Sequence, residues 1–262
     1  MKKTIISLFA LVFLYSCTPI PQEAPNTFTD SRDGKVYKTV TIGEQVWMAE
    51  NLAYLPSVVG PATESTTEPH YYVYGYIDDT PTVAAAKATA NYTTYGVLYN
   101  WTAAMNGAAS SSSNPSGVQG VCPPGWHLPS DEEWTQLETY LANNGHNYDG
   151  SVGGDNFRDK IAISLASATG WDAYASTNPG AIGNTNPAYD AYRNKSGFSA
   201  LPGGYRNYTG EFFYIGIYGT WWSSTVANTS IAWPRYLYYN LSDVNKYGSS
   251  KENGFSVRCL RD

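Results

Sequence analysis

Two of the three cysteines place the strongest constraint on how this chain folds. Cys17 closes an N-terminal apolar run and is treated below, which leaves Cys122 and Cys259. In an exported chain, two remaining thiols ordinarily oxidise to one disulfide. A Cys122–Cys259 bridge spans 137 positions, so the middle of the chain must meet its last strand. Closing such a loop contributes about 2–5 kcal/mol. The run GFSVRCL (Gly254–Leu260) agrees, because alternation puts Phe255, Val257 and Cys259 on one strand face, with Ser256 and Arg258 on the other. Cys259 therefore faces the interior. Zinc is not indicated: there is no CxxC and no HExxH, and His70, His127 and His146 are scattered. No metal and no cofactor is expected.

The stretch around the first of these cysteines, CPPGWHLPSDEEW (Cys122–Trp134), crowds a histidine and three acids together. Local helix chemistry accounts for the acids. Ser130 and Glu133 fit the S-x-x-E capping box, and negative charge in a first turn complements the helix dipole. Trp134, Leu137 and Leu141 follow at helical spacing, and Asn144-Gly145 supplies the stop. Asp131, Glu132 and Glu133 thus read as a helix start, and no catalytic residue is assigned.

Elsewhere the pattern is mixed. Lys35–Ala49 reads as a hairpin with its turn at Gly43-Glu44, and Val36, Val40 and Ile42 share a face. His70–Ile77 reads as a tyrosine-rich strand, Thr82–Ala90 as a short helix, and Ser110–Gly117 as a loop. A second helix is expected over about 155–168, with Phe157, Ile161 and Leu165 in register. Beyond Asn194, short strands separated by glycine turns suggest an antiparallel meander. With 23 tyrosines, 24 glycines and only 15% charged residues, the chain suits a β-rich, loop-rich α+β domain.

The first sixteen residues, MKKTIISLFALVFLYS, have a basic start at Lys2 and Lys3 and an apolar run, Ile5–Leu14, too short to span a bilayer. Leu14-Tyr15-Ser16-Cys17 resembles a bacterial lipobox, which implies cleavage before Cys17 and acylation of its thiol. Residues 1–16 are then a signal peptide, 17–29 a proline-containing tether and 30–262 one domain. The partner implied is a membrane, through the lipid on Cys17, and the location is the bacterial envelope, with the outer membrane expected. Ordinary signal cleavage near Cys17 is the alternative. Loss of Lys2 and Lys3 takes the formal charge from −6 to −8, which argues against nucleic acid as a partner.

Six segments occur in the order seen in the Fibrobacter succinogenes major paralogous domain family, and the chain resembles it over roughly residues 30–262. They are QVWMAENL (Gln45–Leu52), YGVLYNW (Tyr95–Trp101), CPPGWHLPSDEEW, GFSALPGGYR (Gly197–Arg206), YGTWWSST (Tyr218–Thr225) and GFSVRC. More distantly, HLPSDEEW and GFSVRC are similar to segments of formylglycine-generating-enzyme-like domains, which have a C-type-lectin-like fold. That resemblance implies an α+β domain with two main helices, short antiparallel strands and long loops, its N- and C-terminal strands meeting in one sheet.

The functional expectation is a non-catalytic binding or adhesion module, with glycans as the first class of ligand. Sugar sites pair aromatic faces with polar side chains, because a pyranose has apolar C–H faces and a hydroxyl rim. Candidates are Tyr205, Arg206, Trp222, Arg235, Tyr236 and Tyr238, with packing as the competing role for each aromatic. The alternative is a structural or assembly lipoprotein whose partner is another envelope protein. An enzyme of the formylglycine-generating type ranks last, since Cys122 and Cys259 already have a structural role. The loop GHNYDGSVGGDN (Gly145–Asn156) lacks acids where a calcium loop needs them at its first and last positions, and reads as a glycine-rich turn.

Overall fold

The computed structural model describes residues 26–154, 156, 158–175 and 178–262. The expected signal segment, Cys17 and most of the tether lie outside them, as do Asp155 and Phe157 of the expected second helix.

Strands β1 (Thr27–Thr29), β2 (Val36–Ile42) and β3 (Gln45–Met48) open the fold. β2 and β3 form the expected hairpin, with Ile42 opposite Gln45 across Gly43-Glu44. Gly43 has φ +62, and a Cβ there would come within 2.8 Å of the Tyr140 ring, so the turn requires glycine. β1 falls within the stretch expected as tether, 17–29. Instead Phe28 is buried between the Tyr37 and Trp126 rings, and that contact recruits Thr27–Thr29 to the edge of β2.

Next come β4 (Tyr71–Tyr72), α1 (Val83–Lys87), α2 (Ala90–Tyr95), β5 (Leu98–Tyr99) and α3 (Trp101–Met105). The expected strand over His70–Ile77 is only two residues long. The chain turns at Val73–Tyr76, where the Tyr76 N–H donates to the Val73 carbonyl and Gly75 has φ +71.

β6 (Trp126–His127) leads into the capped helix α4 (Asp131–Asn143), in which both halves of the Ser130/Glu133 box are made. The second expected helix is a single turn, α5 (Ala162–Leu165). The carbonyls of Arg158 and Lys160 accept from the N–H groups of Val244 and Tyr148 rather than from helical partners, so tertiary pairing overrides the periodic pattern. Ile161 and Leu165 are buried all the same.

The C-terminal half contains β7 (Gly203–Arg206), β8 (Phe212–Ile215), β9 (Tyr218–Val226), β10 (Ile231–Tyr238), β11 (Val244–Asn245), β12 (Ser249–Ser250) and β13 (Leu260–Arg261). These do not make one meander. β7 and β8 pair separately, while β10 pairs with β9 along one edge and with β11 and β12 on the other. Pro234 sits where the β9–β10 register shifts, an irregularity that accommodates a residue without an N–H. β13 enters the sheet β1-β2-β3-β13-β6, so strands from the two ends of the chain share a sheet, as the resemblance implies. The fold is α+β.

Two cores flank the strands, and alternation divides neighbouring residues between them. Met48, Trp222, Tyr236, Val257 and Cys259 belong to one core; Trp47, Trp221, Leu237 and Leu260 to the other, with Trp134, Leu137 and Leu141 of α4. Both rings of the Trp221-Trp222 pair are therefore buried. The Cys122–Cys259 disulfide is formed, both residues fully buried in the first core.

Candidate functional site

Three of the six sequence candidates are interior scaffold, with no face left for a ligand. Trp222 is fully buried, its Nε1–H donating to the Tyr99 carbonyl at 2.7 Å. Arg206 is also fully buried, donating to the carbonyls of Pro61 (2.7 Å from Nε) and Glu252 (2.9 Å) while its guanidinium lies over Tyr72. It ties two long loops to β7. Arg235 reaches Glu138 at 2.6 Å and Asp131 at 2.6 Å, and Lys246 holds the other Asp131 oxygen at 2.6 Å. Burial would raise the Asp131 carboxyl, but Arg235 and Lys246 carry it below the ordinary value. Glu138, fully buried on the next two turns, is instead pushed up by burial despite Arg235. Asp131 and Glu138 are seven apart on α4, hence on one face, a signal that could have located their shared cation.

The remaining three, Tyr205, Tyr236 and Tyr238, fall together in a tract of tyrosines. Tyr218 stands opposite Tyr238 across the β9–β10 ladder with ring centroids 4.3 Å apart, and Tyr214 lies 4.4 Å from Tyr218. Tyr205 stacks on Tyr218 at 6.3 Å, and Tyr236 links Tyr238 to Tyr247. Tyr236 forms the buried root, its hydroxyl bonded to Ser249. Tyr214 and Tyr247 are exposed at 43% and 56%, and Tyr205, Tyr218 and Tyr238 are half-buried between them. The hydroxyls of Tyr205, Tyr214, Tyr218 and Tyr238 have no hydrogen-bond partner among the described residues. Burial raises the Tyr205, Tyr218 and Tyr238 hydroxyls, so they remain protonated donors at neutral pH. Tyr214 has φ +62, a left-handed conformation uncommon for an aromatic residue and worth about 1–2 kcal/mol of strain. Such strain gathers at functional positions. Tyr214 and Tyr218 were not singled out from sequence, because strand tyrosines look alike until it is known which face is covered.

A second feature lies between β6, α4 and the residue after β13. His127 is buried between two carboxylates, with Nε2 2.8 Å from Glu133 and Nδ1 2.7 Å from Asp262. Glu133 is also the capping-box acid, its other oxygen accepting from the backbone N–H groups of Ser130 and Ser116. The imidazole thus joins the start of α4 to the end of β13, beside a cleft of about 500 Å³. Both ring nitrogens are engaged, and among the described residues no hydroxyl or thiol bonds to either, so the arrangement serves as a strut rather than as a base for a nucleophile. Burial would lower this histidine, but hydrogen bonds and charge from Glu133 and Asp262 raise it above 6.5. A raised folded value stabilises fully below the unfolded value near 6.5 and fades as pH climbs through the folded one. Thermal midpoints are accordingly expected to fall as pH rises above about 6.5. A His127→Gln variant should show a flatter profile over that window; an unchanged slope would contradict the strut.

The Gly145–Asn156 loop turns at Gly145, Gly150 and Gly153, all at positive φ, and Asp149 pairs with Lys160. Among the described residues no group of three or more histidine, cysteine or acidic side chains could hold a metal ion, and no helix is long and apolar enough to cross a membrane.

No curated protein and no solved structure matches the chain. The Fibrobacter succinogenes major domain matches residues 40–261. That span takes in the hairpin turn with β3, the capped helix, the tyrosine tract and both ends of the disulfide, and the chain belongs to the Fibrobacter succinogenes major domain family.

Proposed function

We propose that this is a non-catalytic binding module, tethered to a bacterial envelope by an acylated Cys17, whose tyrosine tract receives a glycan. The observation that carries the reading is the run Tyr205–Tyr214–Tyr218–Tyr238, partly exposed, with four hydroxyls that have no hydrogen-bond partner among the described residues. Ring faces suit the C–H faces of a sugar, and free hydroxyls suit its rim. The rings brace one another, so little side-chain entropy is lost on binding. An envelope protein is the second reading, since exposed tyrosine is also favoured at protein interfaces.

A glycan array probed with the purified chain tests this. Binding to at least one glycan class is expected, and it should weaken at least tenfold in Tyr214→Gly, which keeps the left-handed backbone allowed. Silence across the array would transfer the tract to a protein partner. The tether is checked by detergent-phase partitioning, expected for the wild type and lost in Cys17→Ser; partitioning that survives would remove the lipid from the account.

A further inference from the structure

We propose that the cleft beside His127 is a second ligand site, separate from the tyrosine tract, and that it takes a neutral or amino sugar. The cleft, about 500 Å³, falls within the ~300–1,000 Å³ range of small-ligand sites. It opens between the β2–β3 turn, the Asn114-Pro115 loop, α4 and the end of β13. A second depression of about 280 Å³ shares Glu44, Gln45 and Gln136 with it and ends on Tyr140. The shared residues make the two depressions neighbours.

The floor is fixed before any ligand arrives. Gln45, buried, donates from Nε2 to the Glu133 carbonyl at 3.0 Å and accepts from Trp47 Nε1 at 3.2 Å. His127 is held at both nitrogens. On the walls, Asn114 Nδ2 donates to Gln136 Oε1 at 2.6 Å. That bond leaves Gln136 Nε2 as a donor and Asn114 Oδ1 as an acceptor with no partner among the described residues. The second Asp262 oxygen is a further acceptor without one. A sugar hydroxyl both donates and accepts, so adjacent hydroxyls satisfy such a mixed set, whereas an apolar ligand would leave these atoms unpaired. Pro115 and Leu260, with the Tyr140 ring at 39% exposure, supply apolar surface for the C–H face.

Charge sets the class of sugar. Glu44 and Asp262 face the cleft against Arg261, while Glu133 is matched by His127. The excess is acidic, which repels uronic acids and tolerates an ammonium group. The argument uses none of the tract residues.

Saturation-transfer NMR and calorimetry with cellobiose, glucosamine and glucuronate test the site. Cellobiose and glucosamine are expected to bind, and glucuronate at least tenfold more weakly. Asn114→Ala and Gln136→Ala, both on the surface, should each weaken binding several-fold and together about tenfold or more, while Tyr214→Gly leaves it unchanged. Unaltered circular dichroism would show that the variants fold. Failure of cellobiose and glucosamine to bind at millimolar concentration, glucuronate binding equally well, or insensitivity to Asn114 and Gln136 would each overturn the proposal. Binding lost with Tyr214→Gly would also overturn it, by moving the ligand to the tract.

Discussion

Trp222→Ala is expected to lower the free energy of unfolding by about 3–5 kcal/mol, the range for deleting a fully buried tryptophan. The ring packs on Phe255 at a 4.4 Å centroid distance and lies in the same core as Tyr236 and Cys259. Its Nε1–H also caps the Tyr99 carbonyl, which accepts from the Phe255 N–H as well. Truncation therefore opens a cavity between β9 and the C-terminal segment and removes one buried bond. Since whole domains are stable by about 5–15 kcal/mol, the loss is a large share of the total. Trp222→Phe retains much of the volume and should recover most of it. Urea titration separates the cases: a midpoint shift without a change of slope is expected for Trp222→Ala, and an unshifted midpoint would mean the ring is not core. Loss of ligand binding in this variant would report unfolding, not a missing contact.

Replacing Cys122 and Cys259 together by serine is expected to destabilise by about 2–5 kcal/mol. The bridge joins the loop before β6 to the residue preceding β13, and the Cys259 carbonyl accepts from the Met48 N–H in β3. Without it, the unfolded chain regains the freedom of a 137-residue loop, and two hydroxyls enter an apolar core. Thermal unfolding of the double variant against the oxidised wild type gives the difference. Alkylation of the native oxidised protein, read by intact mass, should add nothing at Cys122 or Cys259; labelling of both would remove the staple from the account.

Short-range signals were legible in the sequence because local chemistry decides them. The Ser130/Glu133 box, the Gly43-Glu44 turn and the inward Cys259 all follow from spacing over a few residues. What could not be read depended on partners distant in sequence. The helix over 155–168 reduced to one turn because β11 and Tyr148 capture its first carbonyls. Arg206 and Arg235 looked like ligand groups because their acceptors, the Pro61 carbonyl and Glu138, lie 145 and 97 positions away. Arg258, which alternation places on the face opposite Phe255 and Val257, is buried too, its guanidinium over Phe198 and bonded to Asn51 at 3.1 Å, burial pushing it down to about 9. Strand alternation puts Tyr236 and Tyr238 on one face, and both pack with the first core. It did not show that this face is core at Tyr236 and reaches solvent by Tyr238, a change made by the end of the β9–β10 ladder at Tyr218.

Affinity and stability measured side by side, for Arg206→Ala and for Tyr214→Gly, would test most directly whether the conspicuous charges serve the framework and the outer rings serve recognition. The expected pattern is a lowered unfolding midpoint with unchanged dissociation constant for the arginine variant, and, for the tyrosine variant, a near-native midpoint with loss of the tract's glycan signal while cellobiose and glucosamine still bind at the α4 cleft. The reverse pattern, with Arg206→Ala weakening binding at full stability while Tyr214→Gly binds normally, would contradict it.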